Sequence, residues 1–315
     1  MGGIIGYGQS TILSNCSTKK NGYILGDKYV GGIAGGFRGA IRADGEVQVT
    51  TNASYVIGNS YVGGIVGKNT ENVTIENCVN NGVAAGYDRY IGGITGYNDA
   101  TIADCASYLS DYNNSIFKMI VSAWKATGDY VGGITGYNNG RITFSKASQK
   151  ITVKSVSSIV AGENYVGGIA GFNDVAGTLD VNYTLIGGKV YAYGDCAGGG
   201  FGFNASTEVL TKELTIKPTS VQGRYYVGGC IGANVVNLSK NLTMEYFRAD
   251  NRLGSIVGEA FCGGIIGYQR TYTAKQFGTG ALLDEMDAQQ SAILPGIDGK
   301  PIFREQRQHQ RIHIH

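Results

Sequence analysis

The sequence has very little histidine and proline, and each shortage excludes a class of protein. Only 3 of the 315 residues are histidines, and His309, His313 and His315 all lie at the C-terminal end. The rest of the chain therefore has no imidazole to serve as the base of a Ser/His/Asp or Cys/His nucleophile. With 3 prolines beside 51 glycines, the chain is neither collagen-like nor composed like a Pro/Gly-rich disordered linker.

Charged residues are also few, at 16% of the chain, and 26 Lys and Arg nearly balance 24 Asp and Glu. Since no basic run stands out, binding driven by nucleic-acid phosphates has no support and we expect no nucleic-acid partner. No window approaches the roughly 18 consecutive apolar residues of a transmembrane helix, so we expect no membrane insertion. The surface must consist largely of Asn, Ser, Thr and Gly, which is common on secreted β proteins.

Cysteines are present but carry none of the usual spacings. The six are Cys16, Cys78, Cys105, Cys196, Cys230 and Cys262. No CxxC pair occurs, so a thiolate zinc site has no basis, and we expect neither a metal nor a cofactor. Because the chain is 43% hydrophobic and can form a core without disulfides, buried free thiols are the favoured interpretation. A disulfide between Cys196 and Cys230 is the main alternative.

What the chain does have is a repeated phrase, YVGGIxGxN at its fullest. Nine doubled glycines open it, the first of each pair being Gly2, Gly31, Gly63, Gly92, Gly132, Gly167, Gly198, Gly228 and Gly263. A further glycine follows four places later in every copy: Gly6, Gly35, Gly67, Gly96, Gly136, Gly171, Gly202, Gly232 and Gly267. Glycine in a strand costs about 0.5 to 1 kcal/mol relative to alanine, so close backbone approach or a positive φ must require it.

Two other slots of the phrase repeat as well. An aromatic residue stands two places before most glycine pairs, as in Tyr61, Tyr90, Tyr130 and Tyr165. Asparagine stands six places after the first glycine in six consecutive copies: Asn69, Asn98, Asn138, Asn173, Asn204 and Asn234. When coils stack about 4.8 Å apart, equivalent side chains lie above one another. We therefore predict a stacked tyrosine row and an amide ladder, with structural and no catalytic roles.

The remainder of each copy indicates two more short strands. TILSNC (11–16), VTIENC (73–78) and TIADC (101–105) follow their glycine pairs and end in a cysteine that should point inward. Three short strands in about 30 residues suit one coil of a three-sided β-helix. We predict an all-β fold, a right-handed parallel β-helix or solenoid of about nine coils over residues 1–270.

Residues 271–315 are predicted to be a C-terminal cap or tail, partly disordered. The segment ALLDEMDAQQSAIL (281–294) is the one convincing amphipathic helix, and it either closes the solenoid or begins another domain. The three terminal histidines are interpreted as part of a tail in preference to a metal site.

The longest interval between glycine pairs, from Gly92 to Gly132, holds an insertion at about 107–129. Such an insertion corresponds to a loop on one face of a solenoid, often the face that binds a partner. The alternative is a surface loop without a binding role. Within it, Tyr112 and Trp124 are the candidate partner contacts.

The phrases GGIVGKNTENVTIENCVNNG (63–82) and GGITGYNDATIADC (92–105) resemble the bacterial GLUG-motif repeats, in which GGxxGxN precedes a TIxNC-like strand. The resemblance covers residues 1 to about 270, with departures at Gly200, Cys230 and Gln269. It implies an extracellular or cell wall-associated protein and brings no catalytic residue. Met1 occupies the slot that Val30 and Val62 hold in later copies, so we expect this chain to be a segment of a longer protein.

These observations predict a non-enzymatic repeat module that acts as an adhesin or stalk. Its partner would be a glycan or protein of a host or neighbouring cell, and its exposed ends could self-associate. A pure scaffold for other domains is one alternative. A β-helix enzyme that degrades polysaccharide is another, with the carboxylates Asp99, Asp104, Asp129, Asp174 and Asp195 as candidates, although each has a simpler role in a turn.

Overall fold

The structure is a computed structural model of the chain. It describes residues 1–42, 50–70, 74–107, 128–144, 151–153, 159–181, 184–186, 188–207, 209–211, 214–216, 220–237, 247–249 and 255–272. The chain divides into two compact units, Met1–Thr271 and Tyr272–His315. The helix predicted at 281–294 and the terminal histidines lie outside the described residues.

The described residues form an all-β parallel solenoid. Every strand pairing among them is parallel, and the main sheet has 14 strands. One arm of that sheet, the motif ladder, is formed by the strands that follow the glycine pairs: Ile5–Leu13, Ala34–Ile41, Val66–Asn69, Thr95–Asn98, Thr135–Asn138, Ala170–Asn173, Phe201–Asn204, Ile231–Asn237 and Ile266–Tyr272. All nine copies of the phrase thus contribute to one ladder.

The second strands of the copies form the other arm of the same sheet. They are Thr74–Glu76, Thr101–Ala103, Arg141–Phe144, Thr178–Val181 and Val209–Thr211. Ile5–Leu13 and Ala34–Ile41 are long enough to span both arms, which is why the two arms belong to one sheet.

A nine-stranded sheet, the approach sheet, is formed by the strands that lead toward the glycine pairs. Its strands are Tyr23–Leu25, Lys28–Gly31, Tyr55–Gly63, Val83–Gly92, Asp129–Gly132, Val166–Gly167, Ala197–Gly198, Tyr225–Gly228 and Ala260–Gly263. Three small sheets complete the coils. The three-stranded sheet contains Thr50–Asn52, Cys78–Asn80 and Ala106–Ser107. One four-stranded sheet contains Ile151–Val153, Thr184–Ile186, Leu214–Ile216 and Phe247–Ala249. The other four-stranded sheet contains Ile159–Gly162, Lys189–Ala192, Ser220–Gln222 and Ser255–Val257.

The predicted number of coils was wrong: the structure has about six turns, not nine. Copies two to seven each contain a motif strand, a second strand and a third strand among the described residues. The first copy has only a bridge at Ser17 on the third face, and the described part of the last copy ends at Tyr272. Counting phrases therefore overestimates the number of complete turns.

Two hydrophobic columns, one behind each main sheet, form most of the described core, and a smaller cluster contains Tyr55, Ile57, Val83, Ala85 and Ile159. The first contains the isoleucines of the phrase, such as Ile65 and Ile94, together with Ile75 and Ile102 of the second strands. The second contains the valines that precede the glycine pairs, such as Val62 and Val166. These side chains are fully or almost fully buried, so the same slot supplies the same core contact in successive coils.

Close backbone approach explains the glycines of the phrase. A Cβ on Gly63 would lie 1.9 Å from the carbonyl oxygen of Val66, and one on Gly67 would lie 2.5 Å from that of Gly35 in the preceding coil. No side chain fits at such distances. Among the described glycines only Gly188 has a positive φ, so the positive-φ alternative does not apply to the phrase.

The left-handed conformation falls instead on the residue two places before each glycine pair. Its φ is positive at Tyr29 (54°), Tyr61 (56°), Tyr90 (62°), Tyr130 (56°), Tyr165 (55°), Cys196 (60°), Tyr226 (56°) and Phe261 (54°). A non-glycine residue pays about 1 to 2 kcal/mol in this region. Favourable ring contacts must therefore compensate at the aromatic positions.

A second left-handed corner explains the cysteines of TILSNC, VTIENC and TIADC. Asn77 and Asp104 have φ values of 51° and 49°, and the thiol of the following cysteine donates to the carbonyl two places back, at 3.3 Å for Cys78 and 3.2 Å for Cys105. Asn and Asp tolerate this conformation better than most residues.

All six cysteines are free thiols, including Cys196 and Cys230. Cys78, Cys105, Cys196 and Cys230 are buried as expected, but Cys16 is only partly buried and Cys262 is exposed. A hydrogen bond with Cys105, together with burial, raises the pKa of the Cys78 thiol, and burial raises that of Cys230 to about 12. These buried thiols are poor nucleophiles.

Candidate functional site

The six asparagines of the phrase lie one above another and form the asparagine ladder. Each side-chain amide donates from Nδ2 to Oδ1 of the next coil, over 2.7 Å from Asn69 to Asn98 and 2.6 Å from Asn98 to Asn138. The chain of bonds continues through Asn173, Asn204 and Asn234. All six side chains are buried. Gln269 extends the ladder by accepting from Asn234 over 2.7 Å, although its residue type departs from the phrase.

A second polar ladder crosses the three-stranded sheet, and sequence reasoning missed it. Thr18 donates to Asn52 over 2.6 Å, Asn52 to Asn80 over 2.8 Å, and Asn80 to Ser107 over 3.3 Å. Asn52, Asn80 and Ser107 are buried. The residue type changes along this ladder, so only an alignment of the third strands could have revealed it.

The tyrosines that precede the glycine pairs stack as a column along the surface. The ring centroids are 4.7 Å apart for Tyr29 and Tyr61, 4.9 Å for Tyr61 and Tyr90, 5.2 Å for Tyr90 and Tyr130, and 5.0 Å for Tyr130 and Tyr165. Tyr29 is exposed, and the other four are half-buried.

A second aromatic column lies beside the first, in the slot five places after the first glycine. Tyr97, Tyr137, Phe172 and Phe203 stack nearly parallel, with centroids 5.0, 5.1 and 4.7 Å apart. Rings of the two columns meet edge to face, as Tyr90 does with Tyr97 at 5.6 Å. We call the five tyrosines of the first column, together with Tyr97 and Tyr137, the tyrosine strip. The recurrence of aromatics in the second slot could have been found from the sequence.

Charged groups lie along the strip. The Lys68 ammonium lies 4.9 Å from the ring centroid of Tyr97 and 5.7 Å from that of Tyr61, within the range of cation–π attraction. Tyr137 donates its hydroxyl to Asp174, and Asn139 donates to Asp99 over 2.7 Å. The strip therefore combines aromatic edges, hydroxyls and both signs of charge.

Burial and the neighbouring carboxylates raise the pKa values of Tyr97 and Tyr137. Burial, with smaller contributions from Asp99 and Asp174, raises the pKa of Tyr97 to about 12. Burial and the hydrogen bond to Asp174 raise the pKa of Tyr137 further. These phenols are therefore hydrogen-bonding groups and not bases at neutral pH.

The five candidate carboxylates do not converge on one point in the described structure. Asp99 and Asp174 lie two coils apart, with Asn139 in the same slot between them. Asp129 accepts from both the backbone and the side-chain amide of Asn164, and the Asp195 backbone donates to the Asn164 side chain. Asp104 forms the corner before Cys105. Each contributes to a turn or to a contact between coils.

Tyr112, Trp124 and the rest of the insertion at 108–127 lie outside the described residues. Within the described part of the chain, no three His, Cys, Asp or Glu side chains are grouped as a metal ion would need.

No helix among the described residues has the length and hydrophobicity to cross a membrane.

The fold defines the class of protein as a parallel β-solenoid. The chain matches no protein-family profile, no curated protein and no solved structure.

Proposed function

We propose that the chain is a non-enzymatic module of a bacterial surface protein, extracellular or cell wall-associated, which acts as an adhesin or stalk. The tyrosine strip is the observation that carries this proposal. It presents the same half-exposed side chain in successive coils, so one surface offers a repeated contact to a glycan or protein of a host or neighbouring cell. Aromatic residues with a polar tip are favoured at binding surfaces.

The way the coils associate supports the stalk role. Each ladder joins a coil to the coils before and after it, and this one-dimensional arrangement suits a spacer. The GGxxGxN phrase supports assignment to the GLUG-type repeats. A right-handed winding is part of the proposal, because parallel crossover connections are right-handed in nearly all proteins. A helical cap at 281–294 and self-association through the solenoid ends belong to it as well.

A pure scaffold is the second candidate function, and the asparagine ladder favours it. The ladder commits six buried amides to contacts between coils, which stabilises the array without a partner. In that case the specificity would lie in other domains.

Binding of the chain to a glycan array and to cells would separate these candidates, repeated after deletion of residues 107–126. Circular dichroism should show the same strand signal in both proteins. Binding by the intact chain supports the adhesin, and loss on deletion would place the contact in the insertion. Binding by neither protein supports the scaffold. Conversion of a polysaccharide into shorter products would overturn both in favour of an enzyme.

A further inference from the structure

Tyr29 is exposed, and Tyr61 and Tyr97 are half-buried. In the described structure none of their hydroxyls forms a hydrogen bond, and those of Tyr61 and Tyr97 are not among the fully buried polar atoms without a partner. Tyr137 differs, because Asp174 accepts its hydroxyl proton. The part of the strip between Tyr29 and Tyr97 therefore presents phenol groups to water.

The stacking decides which part of each ring a partner can reach. Because a ring of the first column has neighbours about 5 Å away along the column, those neighbours cover much of its faces. The edges and hydroxyls stay accessible. An apolar partner would gain little buried area here, whereas a partner rich in hydroxyl groups would gain hydrogen bonds to the phenols.

The backbone at Tyr61 and Tyr97 offers no place for an added β-strand. Tyr55–Gly63 pairs with Lys28–Gly31 and Val83–Gly92, and Thr95–Asn98 pairs with Val66–Asn69 and Thr135–Asn138. Lys28–Gly31, which carries Tyr29, has a strand partner on one side and a bridge from Gly31 to Gly2 on the other. Addition of a partner strand needs an unpaired edge, so main-chain recognition of a peptide is disfavoured at Tyr61 and Tyr97.

The regular spacing of the tyrosine rings indicates a partner that is itself built of repeating units. The centroids of the first column are between 4.7 and 5.2 Å apart, so each coil offers its phenol about 5 Å from the last. A linear partner of similar repeat can make the same contact on successive coils, and each further contact acts at a high effective concentration.

We infer that the tyrosine strip binds a linear, uncharged polysaccharide whose chain runs along the stack of coils. Sugar hydroxyls donate to and accept from Tyr29, Tyr61 and Tyr97. The Lys68 ammonium over the rings adds a donor, without a basic patch that would select an anionic polymer. This inference rests on the proposed adhesin function and names the class of its ligand.

The test is binding of linear β-linked glucan oligosaccharides to the full chain, measured by calorimetry with a disaccharide and a hexasaccharide. We expect the hexasaccharide to bind about tenfold more tightly or better, since it reaches more coils. The combined substitutions Tyr29→Phe, Tyr61→Phe and Tyr97→Phe should weaken its binding about tenfold. Phe261 and Phe172 already occupy these two slots, so the fold should tolerate the change. Tyr193→Phe, at an exposed tyrosine outside the strip, is the control.

Three results would overturn the inference. The triple variant could bind as tightly as the unchanged chain, Tyr193→Phe could weaken binding equally, or protease treatment of the target cells, but not glycosidase treatment, could abolish cell binding. In each case binding of the unchanged chain to untreated cells leaves the adhesin proposal standing. Absence of binding to any cell or glycan would instead remove both proposals.

Discussion

The asparagine ladder is an inner column and the second aromatic column an outer column of the same motif strands, one residue apart, and the two differ in almost every other respect. Asn98 is fully buried while Tyr97 beside it is half-exposed, because neighbouring side chains of a strand point to opposite faces. Only the inner column must satisfy a donor and an acceptor in each coil. It therefore keeps an amide from Asn69 to Gln269, while the outer slot also holds Lys68, Phe172 and Ala233.

The two columns share the backbone spacing that glycine permits, so the largest effect should come from a glycine. Gly67→Ala would place Cβ 2.5 Å from the Gly35 carbonyl oxygen and 2.6 Å from the Val30 nitrogen. We expect the free energy of unfolding to fall by about 3 kcal/mol, or folding to fail. Urea denaturation followed by circular dichroism measures it.

Gly6→Ala is the matched control, since Gly6 fills the same slot in the first copy with no atom within 4 Å of its Cβ position. We expect a change of less than about 0.5 kcal/mol. Equal losses in the two variants would show that close approach is not the reason for this glycine.

The inner column is expected to give the next largest effect. Asn138→Ala removes the acceptor for Asn98 Nδ2 and the donor to Asn173 Oδ1, so each of these two buried amides loses one ladder hydrogen bond. We expect a loss of about 2 kcal/mol in the free energy of unfolding. Gln269→Ala, at the exposed end of the ladder, should cost less than about 1 kcal/mol, and a reversed order would argue against the ladder as a stabilising element.

The first aromatic column, which packs against the outer column, makes a less obvious prediction at Tyr90, whose φ is 62°. Both Tyr90→Ala and Tyr90→Gly lose the ring contacts, but only glycine is relaxed in this conformation. We therefore expect the glycine variant to be more stable than the alanine variant by about 1 kcal/mol. Thermal denaturation of the two proteins side by side would detect the difference, and a more stable alanine variant would contradict it.

The smallest effect at neutral pH is expected from Tyr97→Phe, which removes one hydroxyl and keeps the stacking. Its consequence should appear in alkali. Because the pKa of Tyr97 is raised to about 12, the folded protein keeps a proton that the unfolded chain loses near pH 10. The stabilisation is complete below about pH 10 and is lost as the pH rises through about 12. Between about pH 10 and pH 12 the Tyr97→Phe variant should lose less stability than the unchanged chain. An identical pH dependence of the two proteins would refute the raised pKa of Tyr97.

The sequence was sufficient to predict β-strands, their parallel stacking and a buried position that recurs in each coil, because each follows from residue types that recur in the same order in every copy. Tyr61 and Asn98 show this directly, since each lies next to its counterpart in the neighbouring coil. The number of turns could not be derived from the number of phrases, since the third face depends on strands that vary among the copies.

The left-handed tyrosines and the second aromatic column were not predicted, and the reasons differ. A positive φ at Tyr90 contradicts the intrinsic preference of tyrosine, so only the tertiary contacts reveal it. Tyr137 and Phe172 formed a visible pattern in the sequence but lacked a physical reason until the neighbouring column was placed. The insertion with Tyr112 and Trp124 stays a prediction.

The hydrogen bonds of the asparagine ladder all run in one direction, from Nδ2 of one coil to Oδ1 of the next. Their amide dipoles are therefore aligned and add along the stack, as peptide dipoles do in a helix. The oxygen end of this row is at Asn69, and its nitrogen end is at Gln269. The aligned amides thus give the solenoid an electrical polarity that its near-neutral composition conceals.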